Sequence, residues 1–194
     1  MRYRSQIEEE LLILEICEGD KESFNKLVRI YNKKLIYQSF LRTNDWGHAQ
    51  DIVQDVWHWL IKNQRKLNGV GNFSSWIRTI VDRRSVDWIR KQKKIQLKNQ
   101  ELENGNNRDA IVDSASNSFD STENAERRAL EAVIEALKLL DPNARLILNL
   151  YYMENESITS ISRILDIPKG TVKSRLFTSR EKLKSIIKQN SNES

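Results

Sequence analysis

Cations are the residues whose type and spacing could do chemistry here. Lys169, Thr171, Lys173, Ser174 and Arg175 crowd together just after Asp166–Ile167–Pro168. A proline-marked break followed by a polar, basic helix start is the pattern of a helix-turn-helix. Its second helix places such side chains within reach of phosphates and base edges in a major groove. That chemistry is recognition rather than bond making. On spacing alone, a helical hairpin with a solvated cationic face remains open. Enzymatic chemistry finds less support. His48 and His58 lack the H-E-x-x-H spacing, and no glycine-rich phosphate loop exists. Asp51 and Asp55 share a helix face without a third ligand beside them, so no metal or other cofactor is implied.

Those cations need helices to hold them, and the sequence is patterned for helices throughout. Ala49, Ile52, Val53, Val56, Trp57, Leu60 and Ile61 recur at the spacing of one apolar helix face. Phe24, Leu27, Val28, Tyr31 and Leu35 mark an earlier helix, and Phe73, Trp76, Ile77, Ile80 and Val81 begin one that runs on to about Lys94. From about Ile95 to Ala125 the apolar period disappears among Asn, Ser, Asp and Glu, as in a linker. Periodicity returns at Leu130, Val133, Ile134 and Leu137. It continues in a helix opened by Asp141–Pro142, a third with Ser157 as its cap, and a fourth carrying Val172 and Leu176. The expected fold is all-α: an N-terminal helical domain (1–95), a flexible acidic linker (96–126) and a C-terminal helix-turn-helix domain (127–190).

Composition limits the setting. The chain has 194 residues and a net charge of +5, a modest excess that favours a polyanionic partner without proving one. A single cysteine, Cys17, allows no internal disulfide and points to a reducing compartment; its place in an apolar run reads as a small buried hydrophobe. A charged N-terminus and no apolar run near 20 residues predict a cytoplasmic protein without membrane insertion.

The motifs, taken together, resemble the extracytoplasmic-function (ECF) sigma factors. Leu140–Asp141–Pro142–Asn143–Ala144–Arg145 and Gly170–Thr171–Val172–Lys173–Ser174–Arg175–Leu176 look like that family's fourth conserved region. Response regulators share sequences similar to the second stretch. The N-terminal block matches independently, in the family's order: Gly19–Asp20–Lys21–Glu22–Ser23–Phe24, Asp51–Ile52–Val53–Gln54–Asp55–Val56–Trp57, Phe73–Ser74–Ser75–Trp76–Ile77 and Asp87–Trp88–Ile89–Arg90.

The resemblance implies a factor that binds core RNA polymerase and directs it to promoter DNA. Asp51, Gln54 and Asp55 would grip the polymerase clamp. Arg78, Arg83, Arg84, Arg90 and Lys91, with Lys93 and Lys94, would line the proximal, minus-ten element, with Trp88 stacking on an unpaired base. Lys169, Thr171, Lys173, Ser174 and Arg175 would read the minus-thirty-five element as duplex. An anti-sigma factor is a frequent partner in the family. Two departures stand out: Arg83 occupies a position where the family usually has asparagine, and Pro168 one where it often has serine. A free coil of about 30 residues spans about 30 Å, whereas the family's two elements lie on the order of 70 Å apart. The linker would therefore be stretched on the promoter. The runner-up, a stand-alone helix-turn-helix regulator, leaves the Asp51–Trp57 block unexplained.

Overall fold

The computed structural model describes residues 2–102 and 133–192, with side chains described over 7–97 and 133–189. Every regular element among them is helical. Four helices form the N-terminal block: α1 (Arg2–Cys17), α2 (Lys21–Thr43), α3 (Trp46–Lys62) and α4 (Phe73–Leu102), with a 3₁₀ turn at Gln64–Leu67. After a helical stretch at 133–138 come α5 (Pro142–Leu148), a π-helical turn (Asn149–Met153), α6 (Ile158–Ile164) and α7 (Lys169–Asn192).

Local chemistry sets most of these boundaries. The Asp20 carboxylate accepts from the Glu22 and Ser23 amides and opens α2. Asn44, left-handed at φ 55°, closes it, a conformation its short polar side chain tolerates. Asp45 follows at once, accepting from His48 N to start α3. Asp141 caps α5 through Ala144 N at 2.9 Å, with Pro142 in the first turn, and Ser157 caps α6 through Ser160 N at 3.0 Å. Both caps are as the sequence predicts.

The N-terminal core gathers Ile16, Leu27, Leu35, Val53, Val56, Leu60, Leu67, Phe73, Ile77 and Val81. The predicted apolar face of α3 is buried from Ala49 to Leu60, but Ile61 stands 49 % exposed. Cys17 is half-buried against this core, its Sγ facing Gln64 O at 3.8 Å. The last helix of the block outruns expectation. Instead of yielding to linker at residue 96, α4 continues to Leu102, although Ile95 and Leu97 are exposed. Strong helix formers such as Lys, Gln and Leu propagate it without packing. The remainder of the expected linker, 103–126, and the first residues of the expected C-terminal domain, 127–132, lie outside the described residues.

Two clusters build the C-terminal block. Leu140, Ala144, Ile147, Leu148 and Leu176 form one. Leu146, Leu150, Ile161, Ile164 and Val172 form the other, and it is completed by Leu41 from α2. The two blocks therefore share apolar packing. They also share polar contacts: Glu154 pairs with Lys34 at 3.2 Å and with Arg78, and Arg42, which grips Asp82 inside the N-terminal block with Nε–Oδ1 at 2.7 Å and Nη2–Oδ2 at 3.0 Å, donates through Nη1 to Asn143 Oδ1 at 2.5 Å.

Truncating Ile161 to alanine removes a fully buried side chain from the cluster under the helix-turn-helix. It should cost about 2–5 kcal/mol, read as a fall in the urea midpoint; an unchanged midpoint would refute this packing. Burial raises the Asp82 carboxyl above its ordinary range, against the opposing pull of Arg42. Because the folded value lies above the unfolded one, this group's contribution is fully present below the unfolded value and is lost as pH rises through the folded one. Asp82→Asn should remove that share of the acid-side pH dependence of stability. Carboxyl NMR should place the Asp82 inflection above those of exposed aspartates, and an ordinary inflection would contradict its burial.

Candidate nucleic-acid and polymerase interfaces

The turn between α6 and α7 aims the basic helix. The Leu165 and Ile167 amides bond back to Ile161 O (2.9 Å) and Ser162 O (3.1 Å), with Asp166 left-handed at φ 52° between them. This closure ends α6 in the manner of a Schellman motif, with aspartate in the place glycine usually takes. Ser162 Oγ adds a 2.6 Å bond to Ile167 O. Pro168 O then accepts the first i→i−4 bond of α7, from Val172 N at 3.0 Å. A proline there carries no side-chain acceptor, so it offers no side-chain cap to the first-turn amides, the groups a phosphate would meet.

Val172, Leu176 and Ser179 are the buried side of α7. Lys169, Lys173, Ser174 and Arg175 are exposed, and Thr171 is half-buried. All five predicted contacts thus lie in the first two turns, outside the packed face. A shallow hollow beside them is lined by Asp141, Asn143, Ser174, Arg175 and Lys182, and it joins the start of α5 to the basic helix.

On α4 the predicted set divides. Arg83, Arg90 and Lys91 are exposed, and Arg84 and Trp88 are half-buried. The seven-residue steps from Arg83 to Arg90 and from Arg84 to Lys91 stack these cations along one side of the helix. Asp87 sits among them, 3.5 Å from Arg90 Nη1. Trp88 lies against His48, ring centroids 4.4 Å apart, so one face of the indole is already covered.

Arg78 departs from the expectation and is not part of this stripe. Its side chain is 1 % exposed. Nη2 meets Glu154 Oε2 at 2.5 Å, Nη1 meets Gln38 Oε1 at 3.2 Å, and Nε lies 3.3 Å from Ser74 Oγ and 3.5 Å from Glu156 Oε1. It points into the seam between the two blocks and is closed to DNA in this arrangement. Sequence reasoning also missed its partners. Glu154 and Glu156 lie more than 70 residues away, and nothing local marks them as its acceptors.

Asp51, Gln54 and Asp55 are exposed on α3, opposite the buried Ile52, Val53 and Val56. Behind them Trp57 is locked by its indole N–H to Asn32 Oδ1 at 3.0 Å and by edge contact with Phe24. A rigid helix therefore presents the acidic face. Among the described residues no group of three His, Cys, Asp or Glu could hold a metal ion, and no helix is long and apolar enough to cross a membrane.

Known proteins share this layout. Residues 27–95 match the family described as sigma-70 region 2, and residues 130–183 match sigma-70 region 4, together more than half of the chain. The ECF RNA polymerase sigma factor SigW of Bacillus subtilis is 26 % identical over 178 residues, covering 91 % of this chain and 95 % of its own. The ECF RNA polymerase sigma-E factor of Haemophilus influenzae is 26 % identical over 192 residues, covering 94 % and 96 %. Among solved structures, the sigma factor RpoE of Bartonella quintana, in complex with the anti-sigma factor NepR, superposes with a TM-score of 0.62 at 20 % identity, covering 86 % of this chain and 98 % of that one. CnrH, in complex with the cytosolic domain of CnrY, gives 0.61 at 17 %, covering 94 % and 98 %. With both sigma-70 regions present in order, this chain belongs to the ECF sigma factors, non-enzymatic initiation factors that bind core RNA polymerase and direct it to promoters.

Proposed function

We propose a division of labour among three exposed surfaces. The α3 face of Asp51, Gln54 and Asp55 docks on core polymerase. The α4 stripe of Arg83, Arg84, Arg90 and Lys91, with Trp88, holds the proximal promoter element. The α7 start, with Lys169, Thr171, Lys173, Ser174 and Arg175, reads the distal element as duplex. Accordingly, residues 1–95 serve as the polymerase and minus-ten unit, 96–126 as the connector, and 127–190 as the minus-thirty-five unit.

The observation that carries this reading is exposure. Each named residue stands wholly or partly clear of a helix whose opposite side is packed, and the cations lie where phosphates attract them over the longest range. Arg83, in the place of the usual asparagine, brings a charge that suits a phosphate as well as a base edge. Trp88, half-exposed and tilted by 42° against His48, would offer the exposed part of its indole for stacking. An anti-sigma factor fits the same reading, as RpoE of Bartonella quintana was solved with one. The factor works in the cytoplasm beside polymerase.

Replacing Asp51, Gln54 and Asp55 together with alanine should weaken co-elution with core polymerase by about tenfold or more, as loss of an interface hot spot does, while duplex binding stays intact. Undiminished co-elution would move the polymerase contact to another face. Lys173→Ala and Arg175→Ala separate two kinds of DNA contact. A phosphate contact, once lost, weakens binding to all promoters alike and lowers the salt slope by about one. A base contact, once lost, relaxes one promoter position at a cost of about 1–3 kcal/mol. Unaltered distal-element binding in both variants would reject α7 as the reader.

A further inference from the structure

Farther along α7, beyond its basic start, the helix walls a second hollow. Tyr37 of α2, Val133, Leu137, Leu148, Met153 and Leu183 give it apolar walls, and its volume is about 610 Å³. That lies within the roughly 300–1,000 Å³ of small-molecule sites. None of its lining residues belongs to the three surfaces proposed for polymerase and promoter.

The charge around this hollow is one-sided. Arg145, Arg180 and Lys184 border it, and among the described residues no carboxylate does. Lys184 is paired with Glu181 at 3.0 Å, and Arg180 Nη1 lies 3.4 Å from the Tyr152 hydroxyl. Arg145 Nε is buried without a hydrogen-bond partner among the described residues, and so is Asn149 Nδ2. Asn149 is only 9 % exposed. Buried donors are almost always satisfied, because a bare one costs free energy. Two bare donors on one apolar hollow call for an acceptor that a ligand brings. The terminal torsion of Asn149 is broad, so its amide can swing Nδ2 into the hollow without a change of backbone.

The π-turn accounts for this placement. Asn149–Met153 sets Asn149, Tyr152 and Met153 on the hollow together with Leu148, so one turn supplies both a donor and apolar wall. Such turns are rare and concentrate at functional sites.

We propose that the hollow binds a fatty carboxylate. The tail lies against Leu137, Leu148, Met153 and Leu183, and the carboxylate accepts from Arg145 and Asn149. A single extended tail suits the space. A helix about 10–12 Å across fills roughly 500 Å³ in each turn, so the hollow takes little more than one turn of a peptide helix. A carboxylate suits the donors, because it matches a guanidinium in both charge and geometry.

Dodecanoate, kept below its micellar concentration, is the probe for the full chain. The two methionines are Met1 and Met153, so methyl-labelled methionine gives two NMR signals, one of them on the hollow. Dodecanoate should shift the Met153 signal, leave Met1 in place, and saturate at one per chain by calorimetry. Decanoate, with two fewer methylenes to bury, should bind about tenfold more weakly. Arg145→Gln should weaken dodecanoate binding by about tenfold or more, as loss of a hydrogen bond to a charged group does, with helix content unchanged by circular dichroism. Met153→Glu alters a side chain that is 70 % exposed and so spares the core; it sets an acid at the hollow and should weaken binding as well. Dodecyltrimethylammonium, the same tail with the opposite charge, should leave the Met153 signal unmoved. Equal binding of both tails, saturation beyond one per chain that neither variant weakens, or a Met153 signal unmoved by dodecanoate would each overturn the site.

Discussion

A buried guanidinium needs its charge matched, and the arrangement of the two blocks follows from that need at Arg78. Withdrawing such a group from water costs several kcal/mol, so a side chain 1 % exposed must collect acceptors from every direction. It takes Gln38 from α2, Ser74 from its own helix, and Glu154 and Glu156 from the segment between the π-turn and α6 in the other block. Gln38 in turn donates to the Arg78 carbonyl at 3.0 Å, which fixes α2 against α4. Such a network adds little net stability. Its effect is selective: few relative placements of the blocks leave every one of these polar groups satisfied.

Two arginines on α4 show how position on a helix decides a role. Arg78 and Arg83 are five residues apart, which turns one about 140° from the other at 100° per residue. Arg78 therefore faces the seam with Asp82 and Ser85, both buried, while Arg83 faces water. One face of α4 is packed inside the molecule and another carries exposed cations. The helix itself is held by Phe73, Ile77 and Val81 in the N-terminal core. That core fixes both faces at once, so rotating the helix would move the buried and the cationic face together.

Most of this was legible in the sequence wherever the determining contacts are local. The α3 stripe from Ala49 to Leu60, the Asp141–Pro142 and Ser157 caps, and the break at Asp166–Ile167–Pro168 all depend on neighbours within a few residues. Ile61 was misplaced because periodicity says nothing about where a core stops. The extension of α4 to Leu102 was missed because helix propensity alone, without a packed face, leaves no apolar period to read. The exposed surfaces were legible as chemistry, since Lys173 and Arg175 must sit away from Val172 and Leu176 on one helix. The fate of Arg78 was not, because its partners are distant in sequence and reach it through a π-turn that no local spacing announces.

The same contrast runs through the way the two blocks are packed together. Each owns a core of aliphatic residues that needs nothing from the other, except that the C-terminal cluster takes in Leu41. Much of the rest of the seam is polar, although Tyr37 of α2 shares an apolar hollow with Leu148 and Met153. Polar contacts exchange for water at small net cost, whereas apolar contacts do not. Apolar cores thus lie within the blocks, while ion pairs and hydrogen bonds predominate between them. Leu41, at the end of α2, is the buried apolar side chain that crosses into the C-terminal cluster.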